Sequence, residues 1–159
     1  QVAVTAAADP AALGVQDLVV VAVKAPGLPD VARAMAPLIG PDTIVLTAMN
    51  GVPWWFLAGG VDASLRGLQL KTVDPQGDIA RAIPTAQVIG SVVHASCSLD
   101  APGVVRRHFG NSIIVGEPMA LPGDAATPRL LALADANLYR AKSAGRDRVD
   151  QGVETLQLQ

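Results

Sequence analysis

Residues 17–51, DLVVVAVKAPGLPDVARAMAPLIGPDTIVLTAMNG, constrain the fold more than any other stretch of the chain. Residues 18–23 are an unbroken apolar run rich in β-branched side chains, the pattern of a strand covered on both faces in a parallel sheet. Pro26 and Pro29 punctuate a turn. From Pro29 onwards Val31, Met35, Leu38 and Ile39 recur at helical spacing and predict a single apolar stripe. Gly40 and Pro41 stop that helix, and residues 43–47 form a second apolar strand. A strand, a helix and a strand in this order make a βαβ unit, whose crossover is right-handed. Lys24 then stands just past the carboxyl end of the first strand, with Asn50 and Gly51 just past the carboxyl end of the second. In open α/β sheets that edge is where ligands bind.

A lysine at such an edge can offer a point charge to a phosphate, and an asparagine amide can both donate and accept towards a ribose or a small polar substrate. The same residues also suit a solvated strand end and an ordinary Asn-Gly turn. Spacing leaves both readings open.

The run VAVKAPGLPDVARAMAPLIGPDTIVLTAMNGVPWW resembles the ketopantoate reductase (2-dehydropantoate 2-reductase) family. That family's pattern has a strand ending in Val-Lys-Ala and, after a helix, a strand ending in Asn-Gly. The resemblance implies an α/β fold: an incomplete Rossmann-type NADP-binding domain with a parallel βαβ core extended by antiparallel strands, plus a C-terminal helix. It implies NADP as cofactor, Lys24 as a contact to it, and Asn50 as a contact to both cofactor and substrate. The parent reaction is the NADPH-dependent reduction of 2-dehydropantoate to pantoate, a step towards pantothenate, with the proton delivered by a lysine on a separate helical domain.

Composition narrows the partners. With 159 residues, half of them hydrophobic, the chain supports one core of ordinary size. Only 16% of residues are charged and the net charge is -2, so nothing resembles a nucleic-acid footprint or a membrane anchor. Small molecules or protein are the expected partners. Cys97 is the single cysteine, which fits a reducing cytoplasm.

The chain opens on Gln1 and reads as the interior of a longer gene product. Residues 2–5 suggest a short strand leading into an Asp9-Pro10 turn. The reductase family carries a G-x-G-x-x-G loop upstream of this region, and no such loop occurs in the sequence. In the usual doubly wound order the missing strand would sit beside residues 18–23. Its absence leaves an open apolar edge, which predicts self-association through that edge. The expectation is that residues 1–159 alone show no reductase turnover and bind NADPH poorly if at all.

Trp54, Trp55 and Phe56 follow the Asn-Gly pair, and suit either a hydrophobic wall for a ligand or a loop anchored on the core. Residues 61–76 are weakly patterned and read as a variable loop, and residues 78–83 as a short helix ended by Pro84. Residues 87–99 read as a strand resembling the reductase segment near the cofactor, where Ser96 takes the position of a residue contacting NADP through its backbone. His94 in that strand reads as a hydrogen-bonded structural residue. A zinc site of His94, Cys97 and His108 lacks a fourth ligand. Residues 100–103 are a turn, and residues 104–109 with 112–115 predict a hairpin closed by Gly110-Asn111. Arg106 and Arg107 then read as solvated edge charges.

Residues 1–118 are therefore expected to form the partial nucleotide-binding domain, followed by a linker at 119–127, a helix and short extension at 128–149, and a loose tail at 150–159. Within the helix, residues 134–149, ADANLYRAKSAGRDRV, resemble the end of diguanylate cyclase domains, in which Lys142 and Arg146 would approach GTP phosphates. The Gly-Gly-Asp-Glu-Phe signature of those domains does not occur in the sequence. No catalytic residue and no metal ligand is assigned.

Overall fold

Four strands form one sheet in the order β1-β2-β3-β4: β1 (Leu18–Val21), β2 (Ile44–Thr47), β3 (Val88–Ala101) and β4 (Val104–Gly116). The computed structural model describes residues 4–59 and 62–119. β1 pairs with β2 and β2 with β3 in parallel, whereas β3 and β4 are antiparallel. This is the expected α/β architecture, a parallel core extended by antiparallel strands.

The crossover between β1 and β2 is shorter and more broken than the periodicity predicts. A 3-10 turn over Ala25–Gly27 leads into α1 (Leu28–Ala34), and a second 3-10 turn follows over Ala36–Leu38. Pro37 lies in that second turn, and the residue before a proline is pushed away from α geometry, so the helix cannot run on to Ile39. The buried face is Leu28, Ala32 and Met35, while Val31, Leu38 and Ile39 flank it half-buried. The stripe is thus rotated from the one expected, with Met35 common to both.

One face of the sheet carries the main core, where Val21, Val45 and Val88 pack against α1, Trp54 and α2 (Asp78–Ala82). The other face carries Ile44, Ile89 and Val115. Thr43 closes the turn before β2: its hydroxyl donates to Gln16 O at 2.7 Å and accepts from Gly40 N at 2.8 Å. β1 is not covered on both faces as its apolar run suggested, since Val20 is 53% exposed.

Of three further expectations, two are corrected and one is refined. Residues 4 and 5 are not in a strand, and Val4 is exposed. Residues 62–76 hold no helix or strand, as the loop reading expects, but one carboxylate anchors them. Asp74 within them is buried and its carboxylate accepts from the amides of Ile79 (3.2 Å) and Ala80 (3.0 Å), satisfying the first turn of α2.

The third concerns the hairpin. It is made by β3 and β4 themselves, and the turn is Pro102-Gly103, with Gly103 at φ 76°. Gly110 and Asn111 do not turn the chain. They lie inside β4 opposite Ala95, where the register slips between His94↔Ser112 and Ser96↔Phe109. This is a β-bulge with a left-handed glycine. A turn and a bulge of this kind make the same demand for positive φ, so the sequence signal is the same for both. The linker beyond Met119, the helix at 128–149 and the tail at 150–159 lie outside the described residues.

Candidate functional site

The carboxyl ends of β1 and β2 and the start of the free part of β3 enclose a cavity of about 610 Å³. Its walls come from four places: the turn after β1 with Ala25 and Leu28, the end of β2 and the run from Met49 to Phe56, Thr72, Val73, Pro75 and Ile79 before and in α2, and Ser91 with Val92 on β3. No charged side chain lines it among the described residues.

Parallel pairing determines this position. β2 ends at Thr47, whose buried hydroxyl donates to Ile89 O (3.3 Å), while the Ser91 hydroxyl donates back to Thr47 O (2.8 Å). After Thr47 the chain leaves the sheet and β3 runs on alone with β4, since β2 pairs only with Val88 to Gly90. The gap that opens is the cavity.

Asn50 spans that gap. Its Nδ2 donates to Val93 O at 3.0 Å and its Oδ1 accepts from Val93 N at 2.8 Å, so the side-chain amide pairs with β3 as a strand residue would. One N–H and one lone pair of the amide remain for another partner. Asn50 lines the cavity and is exposed. Lys24 is exposed at the same sheet edge, at the start of the Ala25–Gly27 turn; Ala25 and Pro26 line the cavity, and Lys24 itself does not.

Ser96 is not brought to this site. It pairs with Phe109 far along the hairpin, roughly 16 Å of strand beyond Ser91 at about 3.3 Å per residue. His94 is exposed on β3 rather than held in its interior. His108 is hydrogen-bonded to the Ser98 hydroxyl at 2.9 Å, Cys97 is exposed, and no metal-binding group occurs among the described residues. Arg106 is at the surface as expected, in an ion pair with Asp100.

The aromatic run serves both purposes considered for it. Trp54 is buried in the main core and also lines the cavity; Trp55 meets it edge-to-face at 6.5 Å; Phe56 is exposed at the cavity's wall. The wall formed by Thr72, Val73, Pro75 and Ile79 was missed in the sequence because its ordering depends on Asp74, an isolated carboxylate in a segment without periodicity. An Asp four residues before a short helical pattern was the one available signal.

Residues 1–55 match the family model described as ketopantoate reductase PanE/ApbA. A 2-dehydropantoate 2-reductase of Mesorhizobium japonicum is 46% identical over 115 residues, which cover 72% of this chain and 35% of that protein. Among solved structures, one from Ralstonia solanacearum MolK2 assigned as a ketopantoate reductase is 51% identical with a TM-score of 0.71, covering 84% of this chain and 40% of that one. A PanE/ApbA family ketopantoate reductase of Ralstonia eutropha JMP134 is 25% identical with a TM-score of 0.53, covering 86% of this chain and 36% of that one. The chain therefore spans little more than a third of the length of these relatives. Lys142 and Arg146 of the cyclase-like run lie outside the described residues.

Proposed function

We propose, with the likeness to ketopantoate reductases as the premise, that residues 1–118 are a portion of the NADP-binding, Rossmann-type domain of such a reductase. The whole protein's reaction is then the NADPH-dependent reduction of 2-dehydropantoate to pantoate in the cytoplasm. The observation that carries the reading is the cavity at the carboxyl edge of parallel β1 and β2 with Asn50 in its wall.

In this reading Asn50 uses the hydrogen and lone pair that Val93 leaves free to orient cofactor and substrate. Lys24 supplies a cationic rim towards the cofactor's phosphates, while Ser96, far along the hairpin, is given no part in it. The residues fit NADP in chemistry: an uncharged apolar cavity beside a free cationic rim suits a ligand with an uncharged ring at one end and phosphates at the other. When bound, NADPH supplies a hydride. The chain's own residues bind and orient, and the apolar walls exclude water.

The test is an NADPH titration followed by tryptophan emission, since both tryptophans of the chain line the cavity. Weak but saturable quenching is expected, because the cavity and Asn50 are present while no G-x-G-x-x-G loop occurs in the sequence. Lys24→Ala should weaken binding about three- to tenfold at low ionic strength, with the difference shrinking as salt is added. The absence of saturable NADPH binding would sink the assignment, and unchanged affinity in the variant would remove Lys24 from it.

A second reading concerns association. β1 ends the sheet among the described residues, and Leu18–Val21 holds no proline or charge to discourage a further strand. A second copy of the chain pairing along β1 is the partner this favours. A nucleotide-binding role for residues 134–149, taken from the cyclase resemblance, is tested by titration with GTP.

A further inference from the structure

Asp74 is 3% exposed, although it lies in a stretch that holds no helix or strand. One oxygen of its carboxylate accepts from Ile79 N at 3.2 Å and the other from Ala80 N at 3.0 Å. Amides in the first turn of a helix have no partner within that helix, so this one side chain supplies two missing acceptors. Between Asp74 and α2 the chain doubles back through Gly77, left-handed at φ 71°.

The main chain of Asp74 is held from the opposite side. Its N–H donates to Leu70 O at 2.9 Å, as does that of Val73, and the Gln69 side-chain amide donates to Asp74 O at 2.6 Å. One residue is thereby fastened to α2 through its side chain and to residues 69–70 through its backbone. Val73 and Pro75, its neighbours in the chain, line the cavity together with Thr72 and Ile79, whereas Asp74 itself does not. Ile79 is 2% exposed within the main core, so α2 cannot shift without disturbing close packing there. The carboxylate therefore ties a cavity wall without regular structure to a helix that is already fixed.

We propose that Asp74 is a positioning residue for the cavity: it touches no ligand, but it sets where the wall of Thr72, Val73 and Pro75 stands against one. Its bearing on ligand affinity rests on the cavity being the site assigned above. A residue that only caps α2 governs the amides of Ile79 and Ala80, whereas a positioning residue also governs the wall.

Asp74→Asn keeps the size of the side chain and one acceptor oxygen, and sets an NH2 where the other oxygen was. In hydrogen exchange followed by NMR, the amides of Val73 and position 74 should exchange at least about tenfold faster in this variant than in the parent, alongside those of Ile79 and Ala80. Faster exchange confined to Ile79 and Ala80 would overturn the proposal. Gln69→Ala, at an exposed position, removes the bond to Asp74 O and leaves the cap in place. It should speed exchange at Val73 and Asp74 about threefold with Ile79 and Ala80 unchanged. Unaltered exchange at Val73 and Asp74 in Gln69→Ala would overturn the proposal whether or not Asp74→Asn folds.

NADPH affinity, read from tryptophan emission, should fall about three- to tenfold in Asp74→Asn. Gly103→Ala, at the hairpin turn and outside the cavity lining, costs stability without touching the wall and should leave that affinity as in the parent. Parent-like affinity in Asp74→Asn, or an equal loss in both variants, would overturn the positioning role and leave the proposed function standing. A parent chain that does not bind NADPH would refute the proposed function instead, and the exchange pattern would then decide the role of Asp74.

Discussion

Asn50 illustrates how much one side chain does at the edge of this sheet. Its amide makes both hydrogen bonds that a strand residue would make to Val93, and so ties the end of β2 to β3 where backbone pairing has already stopped. Asn50→Ala removes both bonds at an exposed position and should destabilise the fold by about 1–2 kcal/mol in urea denaturation. Asn50→Asp keeps the acceptor for Val93 N–H but sets a carboxylate against Val93 O, so it should be at least as destabilising. An Asp variant as stable as the parent would show that the donor half of the pair contributes nothing. At Asp62 the effect is electrostatic: the Ser64 hydroxyl (2.6 Å) and then its amide (2.9 Å) donate to the carboxylate and hold it below its ordinary value. A depressed carboxylate stabilises the fold above its unfolded pKa and loses that contribution as pH falls through the folded one. Ser64→Ala should raise the Asp62 titration midpoint towards the ordinary range, measured by carboxyl NMR, and an unmoved midpoint would remove Ser64 as its cause.

The β3–β4 hairpin is the element whose path depends most on two glycines. Gly103 at φ 76° has open space where a Cβ would be, whereas a Cβ on Gly110 at φ 71° would lie 2.2 Å from His94 O. Gly103→Ala therefore incurs the positive-φ penalty alone, of about 1 kcal/mol. Gly110→Ala adds a backbone collision that only a shift of the strand can relieve, and should destabilise by about 2–3 kcal/mol. Amide exchange should place the loosening from His94 to Asn111 in the second variant and near the turn in the first. Equal effects would mean that the bulge is not as tightly built as its geometry indicates. The contrast between α1 and its predicted stripe is another effect at this scale: a proline three residues beyond the helix resets its end, and the buried face rotates with it.

For the whole molecule, the two sheet edges differ. β4 carries Arg106 and Arg107 and a bulge, all of which discourage pairing, while β1 is short, regular and apolar with Val20 open to solvent. If a second copy pairs along β1, sedimentation equilibrium should show a concentration-dependent dimer. Val20→Lys should shift it towards monomer by adding like charges at the junction. A parent chain that stays monomeric through the micromolar range would dismiss that partner. Among the described residues no helix is long and apolar enough to cross a membrane.

The parallel βαβ order, the strands at 18–23 and 43–47 to within two residues, and the placement of Asn50 and Lys24 on one edge were all legible in the sequence. Each follows from local signals: β-branched runs, prolines and the fixed hand of the crossover. A turn at residues 100–103 was legible too, and the structure confines it to 102–103 because β3 runs on to Ala101. Tertiary structure alone decided that Gly110 is a bulge, that Asp74 orders a segment without pattern, and that Trp55 lies on Gly90 to make a cavity wall. The first and last depend on atoms brought together from 15 to 35 residues apart, and the Asp74 anchor on a carboxylate five and six residues from the amides it holds, and periodicity carries no information about any of them.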